Sequence, residues 1–476
     1  MLFVDSYSFL KGDPSTVPFN RGLNFHWYIM VENNMQIDDS NQTGDEGIEP
    51  ARQMGILRRS VKKNLSRKIQ AMLNSCVNCG QCAESCHYYC STGHSDVIPV
   101  NKSEKLARVL QTHFHPVKSR LPFLKPRQQP DEQLMAALYK AAYEDCTLCG
   151  KCALTCPMGI NTGEILSLAR AMLCSIGQLP SGLVHPVETA FKVGNYLGLT
   201  TEDFVENIEW IAEELGDEIG DETFTIPIDK QNAEVLYIPH PLEARDLPFL
   251  LMYALKILHV AGENYTVSSY DFDTVNYAYY QGSKDNMMRI AQRVLDAREK
   301  LQAKSIGLAP CGHGYRVLRW EVEKYMGKRL PFPPVKSIVE LIEGYIRQGS
   351  IRIEKDKFEG PITYHDPCNI ARRGGVIEAP RYVLKALTSD FVEMQPNRAR
   401  NFCCGGGGGL ASTGDYGKLR VAAGKKKADQ IRQTGARIVA TNCFNCMTQI
   451  RDLSKAYDLG IEVKSIVELV SESLIM

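Results

Sequence analysis

Residues 335–341 read VKSIVEL, and residues 463–469 read VKSIVEL again, 128 positions later. The match extends outward in weaker form. YALKIL from Tyr253 answers YVLKAL from Tyr382 at a shift of 129, and KSIGLAPCGHG from Lys304 answers ARIVATNCFNC from Ala436 at a shift of 132. Blocks that recur in the same order at nearly one period mean a supersecondary unit used twice. Around them, short β-like runs such as AEVLYIPH, GPITYHDP and ARIVATN alternate with helical stretches, which is the texture of α/β layering. The second half is therefore read as two tandem α/β repeats, residues 226–345 and 346–476.

Setting one copy on the other shows where they differ chemically. Pro367-Cys368 of the second copy stands where the first has Pro239-His240, and Cys443 and Cys446 stand where the first has Cys311 and Gly314. The pair Cys403-Cys404, followed by the five glycines Gly405 to Gly409, faces TVNYAYYQG in the first copy. One repeat thus keeps five thiols and the other has a single one. The five fall beside predicted strand ends, where loops at the carboxyl edge of a parallel sheet converge. Five thiolates exceed the need of one tetrahedral ion, and adjacent thiols suit two neighbouring irons better than one. Glycines alongside let backbone come close to metal, sulfide and substrate.

Upstream, Cys76, Cys79, Cys82 and Cys86 follow the spacing C-x2-C-x2-C-x3-C, and Cys146, Cys149, Cys152 and Cys156 repeat it with Pro157 behind. Zinc also takes four thiolates, but zinc knuckles pair two C-x2-C hairpins across a longer loop. The doubled run is the spacing of a two-cluster ferredoxin, in which the fourth cysteine serves the other cluster. Cys76, Cys79, Cys82 and Cys156 are accordingly assigned to one cubane 4Fe-4S cluster, and Cys146, Cys149, Cys152 and Cys86 to a second. In each run the fourth cysteine is expected to begin a helix.

The rest of the chain bounds the answer. With 476 residues and 55 basic against 55 acidic side chains, the chain is long enough for several domains and has no net field that argues for nucleic acid. Its most apolar stretch, from Leu247 to Gly262, holds Lys256, so no membrane span is expected. The first residues make a poor signal peptide, no apolar stretch follows Arg58-Arg59, and the cysteines are spaced for metal; a cytoplasmic, reducing setting is expected. Residues 1–50 read as a mobile extension and 51–185 as a helical two-cluster module. That module opens with a basic amphipathic helix whose stripe is Met54, Leu57, Val61, Leu65, Ile69 and Met72. Residues 186–225 read as a helical connector. The fold class is α+β, multidomain.

The five-thiol pattern resembles the CCG domain of heterodisulfide reductases, and its union with a two-cluster module resembles their catalytic D-type subunit. One degenerate copy beside one intact copy resembles the branch of that family serving dissimilatory sulfur metabolism. The resemblance spans roughly residues 60–476. It implies a noncubane 4Fe-4S cluster on Cys368, Cys403, Cys404, Cys443 and Cys446 that opens S–S bonds. It further implies a haem b integral membrane subunit (DsrM-like) linked to quinone as electron partner, and a disulfide or trisulfide of the sulfur-carrier protein DsrC as substrate. The chain would then sit peripherally on the inner face of the membrane. Two rivals are the heterodisulfide of coenzymes M and B as substrate, and an electron relay serving a flavin dehydrogenase. His365, three residues before Cys368, is read either as a proton carrier or as a structural histidine. Cys311, with His313 near it, is a redox thiol or extra ligand facing the active cavity, or else a relic. Arg372 and Arg373 are a carboxylate clamp or a solvated pair, Cys90 and Cys174 small buried hydrophobes, and Lys425 to Lys427 a solvated run.

Overall fold

The computed structural model describes residues 49–114 and 131–476. The expected N-terminal extension therefore lies, apart from Glu49 and Pro50, outside the described residues. As expected, a helical cysteine-bearing region precedes two parallel-sheet α/β units.

The basic helix is two helices, Pro50–Asn64 and Arg67–Asn74. The predicted stripe is correct, with Met54, Leu57, Val61, Ile69 and Met72 buried, but the chain breaks at Leu65 because Ser66 caps the second helix. Its side chain accepts a hydrogen bond from Ile69 N at 3.2 Å, satisfying a donor that would otherwise lack a partner. Helix Ser181–Val193 runs across the boundary expected at residue 185, and helix Thr201–Ile219, capped by Thr200, forms most of the connector.

The first unit has strands β1 (Val235–Ile238), β2 (Tyr265–Thr266), β3 (Ser305–Leu308) and β4 (Lys336–Ser337). The second has β5 (Ile362–His365), β6 (Phe391–Val392), β7 (Ile438–Thr441) and β8 (Glu462–Ser465). The orders are β2-β1-β3-β4 and β6-β5-β7-β8, with every pairing parallel. Strands β1, β5 and β7 are buried along their whole length, as expected of a sheet covered on both faces.

The repeated VKSIVEL is a strand end followed by a capping box. Ser337 and Ser465 each cap a helix, and Glu340 and Glu468 reach back to the cap amides. Register places Ile238 opposite Leu308 and His365 opposite Thr441. In both sheets the order reverses between these central strands, so the chain leaving their carboxyl ends surrounds a crevice. The two crevices meet: Phe444 N donates to Pro310 O at 2.9 Å, Asn442 to Ser337 at 2.7 Å, and the rings of His240 and Phe444 lie 4.9 Å apart.

Candidate metal centre

The two ferredoxin-type loops share one backbone course. Two residues after the first cysteine, Asn78 and Leu148 take positive φ, and two residues further on so do Gly80 and Gly150. Left-handed residues at matched positions turn the loop around its own centre, and Leu148 N points at Cys146 Sγ from 3.4 Å. The fourth cysteines differ. Cys86 begins helix His87–Thr92, as expected, whereas Cys156 ends helix Lys151–Thr155, and the next helix begins at Thr162. The reason is local: Pro157 disfavours helical backbone at Cys156, and Asn161 caps the later helix.

One small cavity is lined by Cys86, Cys146, Cys149 and Cys152 together, with Lys102, Tyr88 and Thr162. This is the set assigned from spacing to the second cluster. The other set lies nearer the surface, with Cys79 exposed and Cys76, Cys82 and Cys156 half-buried.

The five late thiols are brought together. Cys368 leaves the end of β5, Cys443 leaves β7 and Cys446 follows in helix Phe444–Tyr457. Cys403 and Cys404 lie on the loop after β6. Cys403 is within hydrogen-bonding reach of Cys368, Cys404 and also Cys149 of the ferredoxin loop. Cys404 lies 3.5 Å from Cys446, which reaches Cys443. A continuous row of sulfurs therefore runs from the second ferredoxin loop through the whole late set. Four of the five are buried; Cys368 is half-buried.

The glycine run explains how the loops come so close. Gly408 has φ +73°, and a Cβ there would stand 2.8 Å from Thr147 Cα, one residue beyond Cys146. Thr147 Oγ1 in turn lies 3.5 Å from Cys403 Sγ. The glycines are a docking surface for the ferredoxin loop.

Contact among the thiols divides their acidities. Sharing protons with Cys403 holds Cys149 and Cys404 well below the ordinary thiol range, and the same contacts push Cys403 well above it. Cys446 is pushed up through Cys404. His365 is fully buried with no hydrogen-bond partner on either ring nitrogen, and it faces Cys404 and Cys446 with the three ligand atoms within 4.8 Å. Burial lowers its pKa. His87 faces Cys149 and Cys403 in the same way. Packed sulfurs beside unpartnered imidazole nitrogens in a buried crevice suit a metal group, which would satisfy both.

Residues 72–160 match the family model described as a 4Fe-4S dicluster domain, and residues 362–451 match the CCG model, described as a cysteine-rich domain. The chain thus carries two iron–sulfur modules. It is 28% identical to "Hdr-like menaquinol oxidoreductase iron-sulfur subunit 2" of Archaeoglobus fulgidus, covering 88% of this chain and 82% of that one. It is also 28% identical to the D-type subunit of the dihydromethanophenazine:CoB–CoM heterodisulfide reductase of Methanosarcina barkeri, covering 87% and 96%. A more distant relative is "EtfAB:quinone oxidoreductase" of Syntrophomonas wolfei, 24% identical over 81% of this chain and 55% of its own length. The chain is similar to heterodisulfide-reductase-like iron–sulfur oxidoreductase subunits.

The remaining expected residues fall around these loops. Cys311 caps helix Gly312–Arg316, its thiol accepting from Gly314 N at 3.3 Å. His313 stacks on Tyr280, with ring centroids 4.0 Å apart, and contacts Asn445. Arg372 is neither clamp nor solvated: it donates to the carbonyls of Ala399, Cys149 and Asn401. Arg373 packs against Gly150 with two guanidinium nitrogens buried and unpartnered. Cys90 and Cys174 are half-buried. Of the lysine run only Lys425 is exposed; Lys427 is buried and donates to Asn401 at 2.5 Å.

Sequence reasoning passed over His87, Lys102 and Arg170. His87 directly follows a ligand-spaced cysteine, which was the available signal. The two cations sit in helices whose pattern reads as amphipathic, and nothing local marks them as buried.

Proposed function

We propose that this chain is a DsrK-like catalytic iron–sulfur subunit of a membrane-associated complex. In this reading it carries electrons between a DsrM-like haem b partner, connected to quinone, and a disulfide or trisulfide on the sulfur carrier DsrC. The observation that carries the reading is the row of sulfurs joining the second ferredoxin loop to the five-thiol crevice. It supports a path that ends at a reactive site and not at a bare relay.

Cys76, Cys79, Cys82 and Cys156 would hold one cubane cluster, and Cys86, Cys146, Cys149 and Cys152 the other. Cys368, Cys403, Cys404, Cys443 and Cys446 would hold a noncubane cluster. Opening an S–S bond consumes two electrons and two protons, and an iron group on these thiolates would supply the electrons. The chain's own part is position and exclusion of water. Cys368, the least buried of the five, marks the side of approach. The glycine loop packs on Thr147 beside Cys403. His365, beside Cys404, would hold a proton as a sulfur leaves.

Among the described residues no helix is long and apolar enough to cross a membrane, so attachment would come through the haem partner. The test is electron paramagnetic resonance of the oxidised protein with and without reduced DsrC. A paramagnetic species that appears only with the carrier, and is lost in Cys404→Ser while the two cubane signals persist, is expected. A spectrum indifferent to the carrier would favour the relay; a response to coenzyme M or B thiols alone would favour their heterodisulfide.

A further inference from the structure

Helix Pro99–His113 sends Lys102 inward. Its side chain is 1% exposed, and Nζ donates to Asp145 O at 2.5 Å and to Cys86 Sγ at 3.4 Å, with the Tyr88 ring 4.9 Å away. Asp145 Oδ1 receives Lys140 Nζ at 2.8 Å, its buried Oδ2 has no hydrogen-bond partner, and Lys102 forms no ion pair with it. A buried cation bonded only to a carbonyl and a thiol is costly unless an anion occupies the adjoining space. The adjoining space is the cavity lined by Cys86, Cys146, Cys149 and Cys152.

The more superficial set has no such neighbour: among the described residues no lysine or arginine bonds to Cys76, Cys79, Cys82 or Cys156. This difference bears on the direction of electron flow. Potentials of iron–sulfur clusters depend on net charge, hydrogen bonds to sulfur and solvent exposure. Burial alone disfavours the more negative, reduced form, so the deeper cluster would be the harder to reduce, and electrons entering at the surface would run uphill. A fixed positive charge bonded to one of its ligands opposes that.

Resting on the cluster assignment proposed above, we infer that Lys102 is the built-in counter-charge of the deeper cubane cluster. It raises that cluster's reduction potential relative to the outer one, so that electrons are drawn inward toward the five-thiol crevice. Lys102 is a positioning residue in the electrostatic sense: it touches a ligand and does not exchange a proton in the cycle.

The test is a potentiometric titration of the full chain, followed by electron paramagnetic resonance, for wild type, Lys102→Met, Lys102→Gln and Lys102→Arg. In Met and Gln variants one cubane midpoint should fall while the other stays, and the Arg variant should keep both. If the neutral variants instead lose one cluster's iron and Arg retains it, the counter-charge is equally supported. Unchanged midpoints in neutral variants that keep both clusters, or equal movement of both midpoints, overturn the inference and leave the assignment standing. A wild-type protein without two reduced-cluster signals overturns the assignment and the inference together.

Discussion

Glu243 is a buried carboxyl in the degenerate repeat. At the degenerate repeat His240 stands where the other copy has a ligand-spaced thiol, and the backbone N–H of His240 donates to Glu243 at 2.9 Å in a capping box. The carboxyl is 1% exposed, and burial pushes its pKa up to about 8. The folded state therefore keeps a proton that the unfolded chain releases near its ordinary value. Stability from this group is complete below the unfolded value, declines as pH rises beyond it and is gone above about 8. In Glu243→Gln the box has a neutral acceptor at every pH. Denaturation midpoints at pH 6 and 9 should therefore differ less in the variant than in the parent, both carrying the same iron. Equal differences would mean that Glu243 is already ionised in the fold.

At the scale of elements, the glycine loop carries a sharper contrast. Gly408 has φ +73° and would place a Cβ 2.8 Å from Thr147 Cα, whereas a Cβ on Gly407 meets nothing nearer than Thr147 Cβ at 4.0 Å. Gly408→Ala should cost about 1–3 kcal/mol in backbone strain alone and also push the loop off its partner. Gly407→Ala should be nearly silent. Thermal midpoint and iron content read both, and equal behaviour would remove the docking role. The contrast also marks what was legible in the sequence. The repeats were, because VKSIVEL carries a strand end, a cap and its returning glutamate within seven residues. The ligand-spaced cysteines were, because their chemistry lies in spacing. The break at Ser66 and the early end of the helix at Cys156 depend on which of two local bonds wins. That Gly408 lies on Thr147 depends on chain 261 residues away in sequence, which no local pattern encodes.

The whole molecule turns on Arg170, which no sequence pattern singled out. Its side chain is fully buried and donates to the carbonyls of Ala142 at 2.9 Å, Cys146 at 2.9 Å, Tyr280 at 2.7 Å and Gly408 at 2.7 Å. Those carbonyls belong to the ferredoxin module, the degenerate repeat and the glycine loop of the intact repeat. One guanidinium thus fixes all three around Cys146, and Arg316 repeats the device on a smaller scale by donating to Leu148 O at 3.3 Å. On these contacts the degenerate repeat is the third wall that holds the ferredoxin loop against the thiols. Arg170→Met leaves four buried carbonyls without this donor and should cost on the order of 3–5 kcal/mol. Its characteristic mark is a loss of cooperativity, since this guanidinium is the polar join among the three modules. Calorimetry should show one transition in the parent and separated transitions in the variant, even where iron content is unchanged. A single transition merely shifted downward would make Arg170 an ordinary core residue, and the joining of the modules would have to be sought in the apolar contacts around it.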